Sequence, residues 1–293
     1  MKHLIQTIVL GLLIGGVYAL MASGLTLIFG VMNVINVAQG ALLILAALFT
    51  FELWTRTGMD PLLAILITTP AMFVVGWLIY RLFVFRVRDA PVSMTVLLTF
   101  AMAITLEGVM GVVWKNVFRS VTPAYFNQSF HLGGFFFPKA QVYGCVAALI
   151  VLGLLYLLLT RTWSGRAIRA ASENPGGAQL VGVNVTGVAA LTFAIGVATT
   201  GAGGSILSVL YSFFPASHYL WISRLLGIIV LGGMGSLPGA FVGALMMGVA
   251  ENLTQTYVST RWAAVVPYLV ILVVLLIRPQ GLLGARLRED VAA

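Results

Sequence analysis

Residues 11–40 read GLLIGGVYALMASGLTLIFGVMNVINVAQG, without one charged side chain, inside an uncharged run that extends from Leu4 to Phe51. An α-helix rises 1.5 Å per residue, so about 20 apolar residues cross roughly 30 Å of hydrocarbon. The run is too long for a single crossing, and Asn33, Asn36 and Gln39 interrupt it together. Amides inside hydrocarbon need hydrogen-bond partners. The stretch is either a polar turn at the membrane surface between two full crossings, or a helix break whose amides satisfy one another and nearby backbone beside a transport path.

The remainder of the chain has the same membrane character. Of its 293 residues 60% are hydrophobic and 8% charged, against about 25% charged in an ordinary soluble domain. Further apolar runs lie at 61–85, 92–114, 140–160, 187–211, 219–252 and 262–277. The run LVILVVLLI at 269–277 has none of the alternation of a transmembrane β-strand. The expected fold is all-α: one polytopic transmembrane helical bundle covering 1–293, of about 8 to 10 spans with broken or re-entrant helices among them. The formal net charge of +8 is scattered at the ends of the runs, which fits membrane topology and not a nucleic-acid surface. Cys145 is the sole cysteine, which excludes an intramolecular disulfide and argues against a thiolate metal site, so a packing role is expected. Met1, Lys2 and His3 before an apolar run resemble a signal peptide, but no small-x-small cleavage site follows, and the segment reads as the first span.

Charge gathers in the connectors. Arg81, Arg86, Arg88 and Asp89 lie in one, Arg161, Arg166, Arg169 and Glu173 in another, and Arg278, Arg286, Arg288, Glu289 and Asp290 in the tail. The positive-inside rule places these three in the cytoplasm and leaves Lys115, Arg119 and Lys139 outside, in a loop that also carries Pro123, Pro138 and Phe135, Phe136 and Phe137. Lys2 alone points to an inner N-terminus. Between the inner loop at 161–187 and an inner tail the number of crossings is even, so 219–252 supplies two crossings or a re-entrant pair. Its centre, GGMGSLPG at 232–239, contains the helix breakers this requires: Gly232, Gly233, Gly235, Pro238 and Gly239. Gly235, Gly239 and Gly243, like Ala194, Ala198 and Ala202, recur every fourth residue and read as stripes for close helix packing. No internal repeat relates the two breaks.

Chemistry-bearing residues are few. Glu107 lies about 6 Å past the midpoint of its run and is either a pathway group or a carboxyl that is protonated, hydrogen-bonded across helices or nearer the surface than the count places it. Arg224 and Glu251 flank the sixth run and are expected to snorkel at interfaces. His3, His131 and His218 sit near run ends, and neither hydrolase motifs nor a phosphate-binding G-x-x-x-x-G-K-[ST] loop occurs, so enzymatic chemistry and ATP binding by this chain are not expected. The inner segment RTWSGRAIRAASENPGGAQLVGVNVTG, 161–187, is longer than a connector needs. A basic helix over 161–171, a turn at Asn174, Pro175, Gly176 and Gly177, and a short helix at 178–181 ended by Gly182 would make it a docking element; a long solvated loop is the plainer reading.

Five stretches in order, 11–40, RAIRAASENPGGAQLVGVN (166–184), FAIGVATTGAGGSIL (193–207), LGGMGSLPGAFVGALMMGVAE (231–251) and RPQGLLG (278–284), resemble the permease subunits of bacterial ABC importers for branched-chain amino acids, the LivH type. The resemblance implies a multi-pass inner-membrane subunit forming half of a translocation path. It implies a second, LivM-like permease, two LivG/LivF-like ATP-binding subunits that bind the ATP, and a periplasmic substrate-binding protein. The family's coupling segment falls on Ser172, Glu173, Asn174, Ala178 and Gly182, and the match centres on the stretch that holds Asn33, Asn36 and Gln39. Where the family commonly reads Asn, an aromatic, Ala, His and Gly, this chain has Asn36, Val37, Ala38, Gln39 and Gly40. That departure keeps a permease or stand-alone facilitator for urea, short amides or another small solute as the alternative.

Overall fold

The computed structural model describes residues 1–88, 90–278 and 280–284. Asp89, Arg286, Arg288, Glu289 and Asp290, assigned above to inner connectors, therefore lie outside the described residues, as does Pro279. Six helices are long and apolar enough to cross a bilayer: α1 (Lys2–Met32), α2 (Gln39–Thr57), α3 (Pro61–Leu82), α4 (Val92–Trp114), α5 (Lys139–Arg161) and α8 (Val185–Leu210). A helix pair, α9 (His218–Gly232) and α10 (Leu237–Tyr257), passes the same test together, bent by 119° at its break. Short α11 (Thr260–Ala263) leads into α12 (Val266–Ile277), which at 12 residues is too short to cross alone. Between α5 and α8 lie two short helices outside the spans, α6 (Trp163–Glu173) and α7 (Pro175–Leu180).

The bundle is organised around α1 and α8, the most deeply enclosed spans. α1 runs antiparallel to α10: a side chain at Gly11 would strike the backbone of Val249, and Gly30 at the other end meets Gly235. α1 also crosses α8 backbone to backbone at Gly24 and Gly196, where any Cβ would overlap the opposite chain. In a bilayer, where lipid tails are as apolar as leucine, such close approach supplies the van der Waals contact that holds helices together. α3 lies along the far side of α8, with Met72 against Gly201 and Gly76 against Ala194 and Val197. Ala194, Ala198 and Ala202 are all buried, as their spacing predicts. The other stripe is interrupted: α10 begins at Leu237, so Gly235 lies in the turn with φ of 83°, while Gly239 and Gly243 pack on Gly232 and the backbone of Ile228.

The break between α9 and α10 follows from its residues. Gly233 and Gly235 both have positive φ, a conformation that costs an L-residue roughly 1–2 kcal/mol and glycine little. Ser236 caps α10 by accepting from the Gly239 N–H at 3.1 Å, and Pro238 sits in the first turn, where no intrahelical donor is needed. The segment 281–284 closes over this turn, with the N–H groups of Leu282 and Leu283 donating to the carbonyls of Leu231 and Gly232.

The two ends of the bundle are distinct. At one end Arg88 donates to Thr186 at 3.0 Å, joining the connector after α3 to the start of α8, beside α6 and α7. At the other, the loop after α4 folds into an antiparallel hairpin of β1 (Ser129–Leu132) and β2 (Phe135–Pro138), and Gln6 donates to the Phe136 carbonyl. The start of α1 thus shares an end with the hairpin, opposite Arg81, Arg86, Arg88, Arg161, Arg166 and Arg169. Lys2 and the arginine-rich connectors therefore lie at opposite ends of the bundle, and the inner N-terminus that Lys2 alone points to does not share a side with them.

Candidate functional site

The break after α1 holds its amides at depth and not at a surface turn. α1 ends at Asn33, whose left-handed φ of 52° closes the helix with its N–H on the Phe29 carbonyl. The chain then turns back and α2 starts at Gln39. Asn36 and Gln39 are fully buried; Asn36 Nδ2 donates to Gln39 Oε1 at 2.9 Å, and Gln39 Nε2 donates to the Gly196 carbonyl at 3.0 Å and to Thr200 Oγ1. Gly196 lies eleven residues into α8, roughly 17 Å from its start at 1.5 Å per residue. Thr99 of α4 accepts from the Val37 N–H and donates to the Ile35 carbonyl, each at 3.2 Å, so the extended backbone is satisfied from a second helix. Asn36 Oδ1 alone has no partner. Asn33 does not join the cluster: it is exposed, a helix cap outside the amide contacts. Spacing alone could not separate the two asparagines, because both suit a helix end.

Glu107 is hydrogen-bonded across helices, one of the readings its position allowed, and this leaves the pathway reading open. Its Oε2 lies 3.0 Å from Nε2 of His218 at the start of α9, with side-chain exposures of 25% for Glu107 and 2% for His218. The His218 carbonyl packs on Gly40, just past the amide cluster. His218 Nδ1 is buried without a partner. His218 was grouped with residues near run ends; the structure moves it inward because residues 211–214 re-enter the bundle in extended form, with Phe213 bridging Arg119, before the 3-10 turn Pro215–Ser217 leads into α9.

Arg224 and Glu251 do not snorkel. Arg224 Nε pairs with Glu251 Oε1 at 2.9 Å, with the two side chains only 17% and 9% exposed. Tyr18 donates to Glu251 Oε2 at 2.7 Å and meets Tyr211 hydroxyl to hydroxyl at 3.2 Å, while the guanidinium lies over the Trp221 ring. The pair clamps α9, α10 and α1 together. Sequence reading missed it because the α9–α10 hairpin brings together two residues that lie in separate halves of one run.

The inner segment is a built element. Thr162 caps α6 by accepting from the Gly165 N–H, and α6 buries Ala167, Ile168 and Ala171 while exposing Arg166 and Arg169. Asn174 is not part of a loose turn: its Oδ1 accepts from Gly177 N at 2.9 Å and caps α7, which starts directly at Pro175. The expected turn over 174–177 is therefore a helix start, since proline suits the first helical position. Ser172 and Glu173 are exposed at the end of α6, Ala178 is buried under α7, and Gly182 takes a φ of 83° past its end. Leu180 and Val181 stand out at the end of α7 at 90% and 78% exposure, and Trp163 is exposed at the start of α6. Behind α6 a cavity of about 750 Å³ lies between α1, α5 and α10, touched by Ser23, Thr26, Arg169, Ser172 and Ser236. Among the described residues no three His, Cys, Asp or Glu side chains converge as a metal site would need.

Fold and site together define a multi-pass helical membrane protein with interrupted helices, sparse buried charge and a protruding two-helix element at one end. Residues 7–275 match the family described as branched-chain amino acid transport system / permease component. The chain is 30% identical over 96% of both chains to the high-affinity branched-chain amino acid transport system permease protein LivH of Salmonella typhimurium and, to the same extent, to that of Escherichia coli. It is 29% identical, over 96% of both chains, to the corresponding permease protein BraD of Pseudomonas aeruginosa. No solved structure matches. The chain belongs to the branched-chain amino acid permease family.

Proposed function

We propose that this chain is one of two permease subunits of an ABC importer that carries branched-chain amino acids across the bacterial inner membrane. The reading rests on the family and, within the structure, on α6 and α7. A capped pair of short helices that presents Leu180 and Val181 to solvent is a rigid apolar tip, suited to insertion into a groove of a soluble partner. In this reading the partners at that tip are the two ATP-binding subunits, and the arginine-rich end is cytoplasmic, in accord with the positive-inside rule. The hairpin end then faces the periplasmic binding protein.

Movement of the ATPases would reach the path through packed helices. α6 rests on α1 and α8 through Ala167, Ile168 and Ala171, which share a core with Leu27, Val188 and Ile195. A rigid-body shift at α6 is thus handed to the two central spans, whose crossing at Gly24 and Gly196 borders Gln39. Ser172, Glu173, Asn174, Ala178 and Gly182 serve coupling by shaping and docking this element. Asn36 and Gln39 hold the break beside the path, and the hairpin glycines, Gly232 to Gly243 with Pro238, hold the second.

Reconstitution tests the reading. In proteoliposomes, leucine uptake is expected with the second permease, the ATPases, ATP and loaded binding protein, and none with this chain alone. Uptake of leucine, or of urea, by the lone chain would overturn it in favour of a passive facilitator.

A further inference from the structure

The surface facing away from the core is of two kinds. On α3 and α5 most of the outward residues are aliphatic, among them Leu63, Leu66, Val74, Ile150 and Leu154, with Trp77 and Tyr156 as aromatic exceptions. Around α9, which Glu107 of α4 meets at His218 and against which α12 packs, polar groups gather at the outer surface. Glu107 is part-exposed there, Tyr219 borders its carboxylate and is 44% exposed, and one turn further along α9 Ser223 donates to the hydroxyl of Tyr268 at 2.9 Å. A carboxylate and two phenols open to acyl chains would be expensive, since lipid offers them no partners. An ion-bearing residue in a span normally faces a bundle interior or an aqueous cavity.

Behind Glu107 stands His218. The tautomer with its proton on Nε2 donates to Glu107 and leaves on Nδ1 only an acceptor unmet, whereas a doubly protonated ring would leave a buried donor stranded. In that tautomer His218 donates to one oxygen of Glu107, and its ring centroid lies 4.0 Å from that of Tyr219. The carboxylate retains acceptor capacity on its open side.

We infer that Glu107, positioned by His218 and flanked by Tyr219, is a way-station for the cargo's ammonium group on the wall of the translocation path, with Ser223 and Tyr268 continuing that wall. The inference rests on the amino acid cargo proposed above. One carboxylate already shared with an imidazole attracts a cation briefly and does not trap it, as a path fed by a binding protein requires. The apolar side chain of the cargo is left unrecognised here, so this station reads the amino acid backbone and not its side chain.

The test uses the complete reconstituted complex and reads leucine moved per ATP hydrolysed. Glu107→Gln is expected to lower that ratio at least tenfold while ATP hydrolysis stimulated by loaded binding protein stays within twofold of wild type. His218→Gln, which keeps a nitrogen donor near the Nε2 position, is expected to retain most of the ratio, and His218→Phe to lose it as Glu107→Gln does. In the assembled complex, Ser223→Cys is expected to react with a charged thiol reagent and Leu154→Cys to remain unreacted, the native Cys145 being buried. A wild-type ratio in Glu107→Gln overturns the inference, as does equal loss of hydrolysis and transport, which would make the cluster merely structural. A complex whose native form moves no amino acid overturns the functional reading, and the station with it.

Discussion

Two carboxylate clusters hang on the same helix, α9, and they are built on opposite plans. At its middle, Arg224 and Glu251 form a closed cluster: both carboxylate oxygens are occupied, by Arg224 and by Tyr18, and the guanidinium lies over Trp221. At its start, His218 and Glu107 form an open one, with an orphaned ring nitrogen and a carboxylate one-quarter exposed. Both cost desolvation, but only the closed cluster recovers it within the chain. A saturated pair is scaffold; an unsaturated pair at a surface has capacity for something outside the chain.

The strongest challenge to that contrast is Arg224→Leu. It strands Glu251 among α1, α9 and α10, and breaking a buried pair on one side costs about 3–5 kcal/mol. Thermal unfolding in detergent should show a large drop in midpoint, and Arg224→Met with Glu251→Leu together should recover much of it. If Arg224→Leu instead melts like wild type yet transports nothing, the closed cluster is functional and the distinction fails.

Gln39→Leu comes next. Its amide is saturated in the same manner, by Asn36, Gly196 and Thr200, so it behaves as scaffold by the same criterion. Leaving the Asn36 amide and the α8 groups without it costs about 1–3 kcal/mol. The expected outcome is a lower melting midpoint with transport falling in proportion to the folded protein recovered.

How far these clusters could be read beforehand depended on whether the decisive contact is local. The membrane class and the break at 232–239 were legible because composition and glycine-proline punctuation act within a turn or two of themselves; the inner element was legible as two helical pieces, but Asn174 was read as a turn and not as the cap that starts α7 at Pro175. Glu107 was legible as an anomaly, a carboxyl in an apolar run, but its partner was not, since His218 comes from a segment that re-enters the bundle. Arg224 and Glu251 sit where snorkelling would serve equally well, and only the α9–α10 hairpin decides between surface and interior. The 12-residue α12 was overextended as a span because apolar composition does not reveal that Pro267 starts the helix late. Asn33 and Asn36 differ in nothing but three residues of position, yet one caps a helix in the open and the other is sealed.

A milder effect on stability is expected at the protruding tip, which the comparison classifies as open. Gly182→Val forces a β-branched residue into a φ of 83°, a local strain of roughly 1–2 kcal/mol at the end of α7. Leu180→Asp removes the exposed apolar tip at almost no folding cost, since Leu180 packs on little. Both are expected to weaken co-purification of the ATP-binding subunits and to lower leucine uptake, with the melting midpoint of Leu180→Asp unchanged. Retained association in both would transfer docking to another surface.

A shift of only a few degrees is expected where the contrast is finest. Asn36 is half saturated: Nδ2 serves Gln39, while Oδ1 is buried with nothing to accept from. Asn36→Leu removes one hydrogen bond, worth about 0.5–1.5 kcal/mol, but it also removes the orphaned carbonyl, which offsets part of that loss. The folded protein should therefore survive with a shift of only a few degrees, on the order of 2–4 °C per kcal/mol for a chain somewhat smaller than this one. If an unmet buried group at a helix break marks a second arrangement in which it finds a partner, then transport should fall much further than stability does. Leucine uptake reduced severalfold beside an almost unchanged melt would place Asn36 with Glu107 among the open groups. Uptake that merely tracks the melt would return it to the scaffold with Gln39, and the break after α1 would then be a fixed joint and not a moving one.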